Sequence, residues 1–445
     1  MAAIEHPSVP SLSASTAHRV RSVLAIPAFR RLWLVTSVAG ACDWLSLLAL
    51  SALATQLTDG YAAQSFALGG VVATKLLPSL VLGPLAGALA DRFDRRRVMV
   101  VCDVSRFVLY LSIPIIGSLT WLFVATFLIE ICAMFWIPAK DASVPNLLRR
   151  PDQVETANQL NLVMTYGVGV ISAAGAFTLL SSAEQVFGWS RFDTVQIALS
   201  GSGLAYLTIA LTVLLGIPEI SGRAGQQRET APGVLRMIRD GAEFVTRTPL
   251  VRGLVIGIVG AFTAGGAVIG TATLYAKSLG GGNAAYGLLF TSLFVGLAFG
   301  MGVTPRTAAK IPHNRLFGAA IVAAGGMLVV VALAPHLYVA LVSVLVVGSC
   351  AGIAFLTGLT IIGAQVADAV RGRVVAFVQS IVRITLLGAM ALVPVGVGLV
   401  SQHRIDVFGA TFVIDGTRVV LLAGGLVAVL VGVIAHRQMA DRPTE

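Results

Sequence analysis

Twelve stretches of this chain are apolar over lengths within or above the range a helix needs to cross a hydrocarbon layer, and no other property narrows the fold as much. They lie near residues 32–57, 62–90, 98–118, 119–139, 160–180 and 195–217, and then 254–275, 286–303, 316–333, 337–366, 374–400 and 419–435. About 30 Å of hydrocarbon takes about 20 residues at about 1.5 Å each. Inside lipid every backbone N–H and C=O must find its partner within the protein, so spans of this length are helices. Composition agrees: 56% of residues are hydrophobic and 12% are charged, against about 25% charged in soluble domains.

A net charge of +10 would direct attention to polyanions in a soluble protein. Here the distribution carries the meaning. Counted loop by loop with the N-terminus inside, 24 of the 31 Lys and Arg fall on the inner side and only Arg191, Lys277, Arg404 and Arg418 on the outer side. That asymmetry predicts cytoplasmic termini and removes any need for nucleic acid as a partner. Cys42, Cys102, Cys132 and Cys350 all sit inside apolar segments, so they read as small buried hydrophobes and not as a disulfide framework or zinc site. The first 17 residues lack the basic start and short apolar core of a cleaved signal peptide, and none is expected.

The longest polar stretch, Pro218 to Thr248, falls between spans six and seven. The expected organisation is therefore a cytoplasmic N-terminal segment (1–31), a six-helix bundle (32–217), a cytoplasmic linker (218–253), a second six-helix bundle (254–435) and a cytoplasmic tail (436–445). Gly83 and Gly87 at the end of span two recur, at an offset of 213, as Gly296 and Gly300 at the end of span eight. Matching halves are what a transporter built from repeats would show.

Between spans two and three the chain reads GPLAGALADRFDRRRVMV, crowding Asp91, Arg92, Arg95, Arg96 and Arg97 into one short turn. Gly83 and Gly87 permit close helix contact, and an acid at a helix end beside cations makes a latch that can break and reform. This loop resembles the signature of the major facilitator superfamily, whose pattern has glycine where Asp94 stands. Three further stretches resemble its drug and siderophore exporter branch, which contains the enterobactin exporter and macrolide efflux proteins. They are ACDWLSLLAL in span one, PAKDASVPNLLRRPDQVETANQL after span four and VRGRVVAF before span eleven. In that branch Asp43, Pro138, Pro145, Asn158, Arg371, Gly372 and Arg373 occupy recurring positions. The resemblance implies twelve transmembrane helices in two pseudo-symmetric six-helix bundles, an all-α integral membrane fold. In span five, where exporters of this superfamily often carry G-x-x-x-G-P-x-x-G-G, this chain has GVGVISAAGA. Gly167 and Gly175 remain, with Ile171, Ser172 and Ala176 at the other three positions.

An ionisable group at the bilayer centre costs about 2.5–3.5 kcal/mol on insertion scales, so each must face protein or a watery cavity. Asp43, Lys75, Glu130 and Arg383 each lie about ten residues from a span end, near the midplane. Asp43 first and Glu130 second are the expected proton-coupling carboxylates, because no Asp or Glu occurs between Glu243 and Asp368. The resemblance adds that spans one and four line the cavity. Lys75 and Arg383 read as partners for those acids or for an anionic substrate group, and Trp44 and Trp136 as aromatic cavity walls. Asp103 and Arg106, at i, i+3 on one face of span three, read as a structural pair supporting the Asp91 loop.

The chain has no P-loop, no metal-ligand set, no nucleophile constellation and no cofactor motif. The expectation is a non-enzymatic secondary active transporter that exports an amphipathic organic compound by alternating access. Its partners would be that substrate, protons and membrane lipid, acting as a monomer in the plasma membrane with no cofactor. The alternative is a lipid or lysolipid carrier of the same fold, with Lys75 and Arg383 holding a phosphate.

Overall fold

Wherever the sequence stays apolar for the width of a bilayer, the chain is helical. A computed structural model describes residues 16–90, 93–148, 150–188, 190–221, 249–308, 311–365, 368–400, 403–407 and 410–440. A short helix, α1 (Thr16–Leu24), precedes the first crossing, α2 (Pro27–Gln56), which starts with proline where a missing N–H costs nothing. Then follow α3 (Tyr61–Ala90), α4 (Arg95–Ile116) and α5 (Leu119–Leu147). The fifth crossing is composite: α6 (Pro151–Val163), a π-helical turn (Met164–Val168) and α7 (Gly169–Phe187). The half ends with α8 (Arg191–Gly216). The second half contains α9 (Pro249–Ser278), α10 (Gly282–Ala308), α11 (His313–Leu333), α12 (Leu337–Gln365), α13 (Asp368–Leu399) and α14 (Gly416–Ala440).

Among the described residues nine of these helices are long and apolar enough to cross a membrane. With α3, α13 and the composite α6–α7 they form twelve crossings in two sets of six. The expected all-α fold carries one short addition. Between α13 and α14, β1 (His403–Val407) and β2 (Ala410–Ile414) pair antiparallel, with His403 opposite Ile414 and Val407 opposite Ala410. The segment is too short for a crossing, and it carries five β-branched residues, Ile405, Val407, Thr411, Val413 and Ile414.

Side chains such as Leu204, Leu215, Leu426 and Leu430 lie on the outside of the bundles at 55, 77, 57 and 61% exposure. In water so much uncovered leucine would demand a partner, whereas in a bilayer the lipid tails cover it. Helix association must then rest on close packing. Gly296 and Gly300 of α10 meet the backbone of Leu345 and Ser349 on α12, while Gly348 and Gly352 of α12 meet Leu293 and Leu297 on α10. A Cβ at any of the four would overlap main-chain atoms, so each helix offers a glycine strip to the other.

The end rich in Arg and Lys is called inner here. The two halves meet along α3 with α13 and α7 with α10. Their contacts begin at the outer end, where Lys277 donates to Gln64 at 3.4 Å and the Thr417 N–H donates to the Tyr61 hydroxyl at 3.2 Å. They continue through Gly69 against Ala391 and Phe177 against Tyr286, and reach Trp44 edge-on to Phe294 at 5.6 Å, near the middle of α2 and α10.

Candidate functional site

The first bundle holds a polar network at mid-membrane depth. Asp43, half-buried on α2, accepts the Tyr206 hydroxyl of α8 on Oδ1 at 2.6 Å. One turn on, Ser46 donates to the Asp43 carbonyl at 2.9 Å and receives the Tyr110 hydroxyl of α4 at 2.8 Å. Tyr110 and Tyr206 stack at 5.6 Å. Arg106, 1% exposed, lies with its guanidinium carbon 4.9 Å from the Tyr206 ring centroid and 5.9 Å from that of Trp136. Both distances suit cation–π attraction, which strengthens where water is excluded.

The structure places the expected residues as follows. Lys75 of α3 and Glu130 of α5 form an ion pair at 2.6 Å, so these two charges answer each other. Trp136, expected as a cavity wall, is instead 4% exposed and donates its indole N–H to Asp103 Oδ2 at 3.0 Å. The reason is local: Asp103 is completely buried, and the indole is the donor within reach. Asp103 and Arg106 are not within ion-pair distance of each other, contrary to the expected pairing. Each is engaged by an aromatic residue, from α5 for Asp103 and from α5 and α8 for Arg106. Trp44 is half-buried, donates to the Thr165 carbonyl in the π-helical turn at 3.1 Å and reaches Phe294 across the halves. The side chain of Arg383 and the residues Asp91 and Arg92 lie outside the described residues, and Gly83 and Gly87 are described only as part of α3.

Span five, which departs from the exporter pattern, touches the same region. Gly40 packs on Thr165, and a Cβ on Gly169 would overlap the Met164 carbonyl and touch Ala41. The π-helical turn therefore presses against α2 one turn from Asp43, and such turns recur at functional sites.

At the inner end, Arg96 donates to the Val213 and Leu214 carbonyls and Arg31 donates to the Gly216 carbonyl at 2.5 Å. Two cations thus satisfy the open C-terminal carbonyls of α8. Arg95 opens α4. Asp94 caps that helix, accepting the Arg97 N–H on Oδ1 at 3.0 Å and the Ser221 hydroxyl on Oδ2 at 2.7 Å. The aspartate where the family pattern has glycine therefore has a capping function.

Sequence reasoning passed over Tyr206, Tyr110 and Ser46. None is charged, so nothing in hydropathy marks them. Their signal was hydroxyl groups in spans adjacent to one carrying a midplane acid, and only packing shows that they converge on it. At the outer end a cavity of about 260 Å³ is lined by Tyr61, Gln64, Lys277 and Asp415, among others, and straddles both halves.

The family described as transmembrane secretion effector matches residues 20–444. The uncharacterized MFS-type transporter YfiS of Bacillus subtilis is 24% identical over 217 residues, 47% of each chain, so the match spans about half of that relative. BacE of Bacillus subtilis, proposed as a bacilysin exporter, is 28% identical over 38% of this chain and 39% of its own. Among solved structures, the bacterial homologue of the human lysosomal transporter Spinster, inward-facing and unoccupied, superposes with TM-score 0.69 at 15% identity, covering 94% of this chain and 99% of that one. The nucleoside transporter NupG (D323A mutant) superposes with TM-score 0.67 at 15% identity, covering 92% and 98%. At that identity the two structures speak for the fold alone.

Proposed function

We propose, from the premise that this chain belongs to the transmembrane secretion effector family of the major facilitator superfamily, that it exports an amphipathic organic compound by proton-coupled alternating access. The membrane is the plasma membrane, with both termini cytoplasmic. The observation that carries this reading is the composition of the buried network. Among the described residues Asp43, Asp103 and Glu130 are set against Lys75 and Arg106, three carboxylates to two cations. A set with one negative charge too many, held in a medium that penalises net charge, is neutral with one proton added. Glu130 is answered by Lys75, so the proton belongs to the remaining group, and Asp43 is its least buried acid.

The described halves touch from the outer end to Trp44 and Phe294, which supports a resting state closed to the outside. In the proposed cycle substrate enters from the inner side, the bundles rock, and a proton from outside replaces the substrate at Asp43. The inner turn from Asp91 to Arg97, with Asp94 and Arg96 tied to α4 and α8, closes the inner route. The lipid-carrier reading is second because Lys75, one of the two cations proposed to hold a phosphate, is engaged by Glu130.

The test is efflux from cells expressing the protein, with tetraphenylphosphonium, a macrolide, a siderophore and a lysophospholipid as probes. Expression is expected to lower retention of at least one of the first three, and a protonophore to restore it. Lowered retention that a protonophore leaves unchanged contradicts proton coupling, and movement of the lysophospholipid alone moves the assignment to the lipid carrier.

A further inference from the structure

Among the described residues two carboxylates and one guanidinium remain once Lys75 and Glu130 are paired, and their geometry is incomplete in a specific way. Asp103 is 0% and Arg106 is 1% exposed. Asp103 Oδ1 has no hydrogen-bond partner, and neither do Nε and one terminal nitrogen of Arg106. A buried unpaired polar atom costs about 1–3 kcal/mol, more when charged, so a rearrangement that brings Asp103 Oδ1 and the Arg106 guanidinium together is favourable. The guanidinium lies between two aromatic rings, and each ring hydrogen-bonds a different carboxylate. Tyr206 holds Asp43 at 2.6 Å and Trp136 holds Asp103 at 3.0 Å. Both acids act electrostatically on Arg106.

We infer that Arg106 is one cation shared by two carboxylates, and that the proton the protein carries decides whether the guanidinium pairs with Asp103 or with Asp43. This rests on the proton-coupled reading above and assigns its internal switch. Asp103 and Arg106 are at i, i+3, where side chains on a helix are neighbours, so a rotamer change brings them together without moving α4. When Asp43 is protonated, Arg106 turns to Asp103, whose orphaned oxygen then gains two donors. When Asp43 is ionised and Asp103 carries the proton, Arg106 turns to Asp43 past the Tyr206 ring. In both states one acid is protonated and the other faces the guanidinium, so the set is neutral.

The other titratable groups near Arg106 are thiols and phenols. On its own helix these are Cys102 and Tyr110, on α2 Cys42, on α5 Cys132 and on α8 Tyr206. Thiols and phenols are neutral in their ordinary ranges at physiological pH. Lys75 reaches this region from α3, with its charge answered by Glu130. The switch is felt beyond the network because Asp43 adjoins Trp44, which touches Phe294 of the other half.

The test needs no substrate. Infrared difference spectra of the purified, full-length protein across a pH titration report the carbonyl stretch of a protonated buried carboxyl, and the amide bands report folding. The native protein is expected to show one such band. Asp43→Asn and Asp103→Asn are each expected to lose it, since one acid and one guanidinium are already neutral, and Arg106→Gln is expected to add a second protonated carboxyl. A band that survives Asp103→Asn but vanishes in Asp43→Asn overturns the switch and leaves Asp43 as sole carrier. Absence of any band in the native protein overturns the proton-coupled reading itself. Should Asp103→Asn not fold, Asp103→Glu decides: a switch partner one methylene longer displaces the titration midpoint, whereas an unchanged midpoint overturns the proposal.

Discussion

Asp43→Asn is expected to reduce substrate accumulation to its equilibrium value while leaving the protein folded. The substitution is isosteric, and the amide oxygen still accepts from the Tyr206 hydroxyl, so the 2.6 Å contact between α2 and α8 has a chemical successor. What is lost is the proton. A gradient of one pH unit holds about 1.4 kcal/mol, enough for about tenfold accumulation per proton coupled. In proteoliposomes with such a gradient, native protein is expected to reach about tenfold accumulation of a transported probe per coupled proton, and the variant about onefold. Exchange of labelled for unlabelled probe needs no gradient and should continue in the variant. Undiminished accumulation in Asp43→Asn would return the residue to a structural role.

The second large effect concerns the ion pair between α3 and α5. Lys75→Met strands Glu130 in the membrane, and Glu130→Gln strands Lys75, each at a cost of about 2.5–3.5 kcal/mol on the insertion scale for a lone charge. Both single variants are expected to melt well below the native protein in detergent. The double variant Lys75→Met with Glu130→Gln is expected to recover most of the loss, because a buried pair replaced as a unit leaves no charge behind. Thermal melting of the four proteins completes the double-mutant cycle. A double variant no more stable than either single one would show that the 2.6 Å pair is not what holds these charges.

The bilayer explains why so much of the fold was legible and why the site was legible only in part. A span must be apolar and long, which a reader of the sequence sees directly, so the crossings emerge from hydropathy. Intramembrane charge is equally visible: Asp43, Lys75, Asp103, Arg106 and Glu130 stand out because each is costly where it lies. Pairing is another matter. Spacing at i, i+3 suggested that Asp103 and Arg106 bind each other, yet the rings of Trp136 and Tyr206, 33 and 100 residues away from them, engage them instead. Only helix packing brings those rings in. The π-helical turn at Met164–Val168 and the hairpin at His403–Ile414 stayed hidden for a related reason. Each is a local departure of a few residues inside or beside a long apolar pattern, and such patterns report the average of a segment. Asp94 shows the converse, since its place before α4 carries an ordinary helix-capping signal.

The central claim is that substrate and proton move in opposite directions through one protein. The most direct measurement is the internal pH of proteoliposomes containing the native protein while a probe moves down its own gradient, with no pH gradient imposed at the start. The account predicts that probe leaving the lumen draws protons into it, acidifying the interior in proportion to the probe moved, and that a permeant ion must be supplied to compensate any net charge. Probe movement with no change in internal pH, under conditions where added nigericin does collapse an imposed gradient, would contradict it.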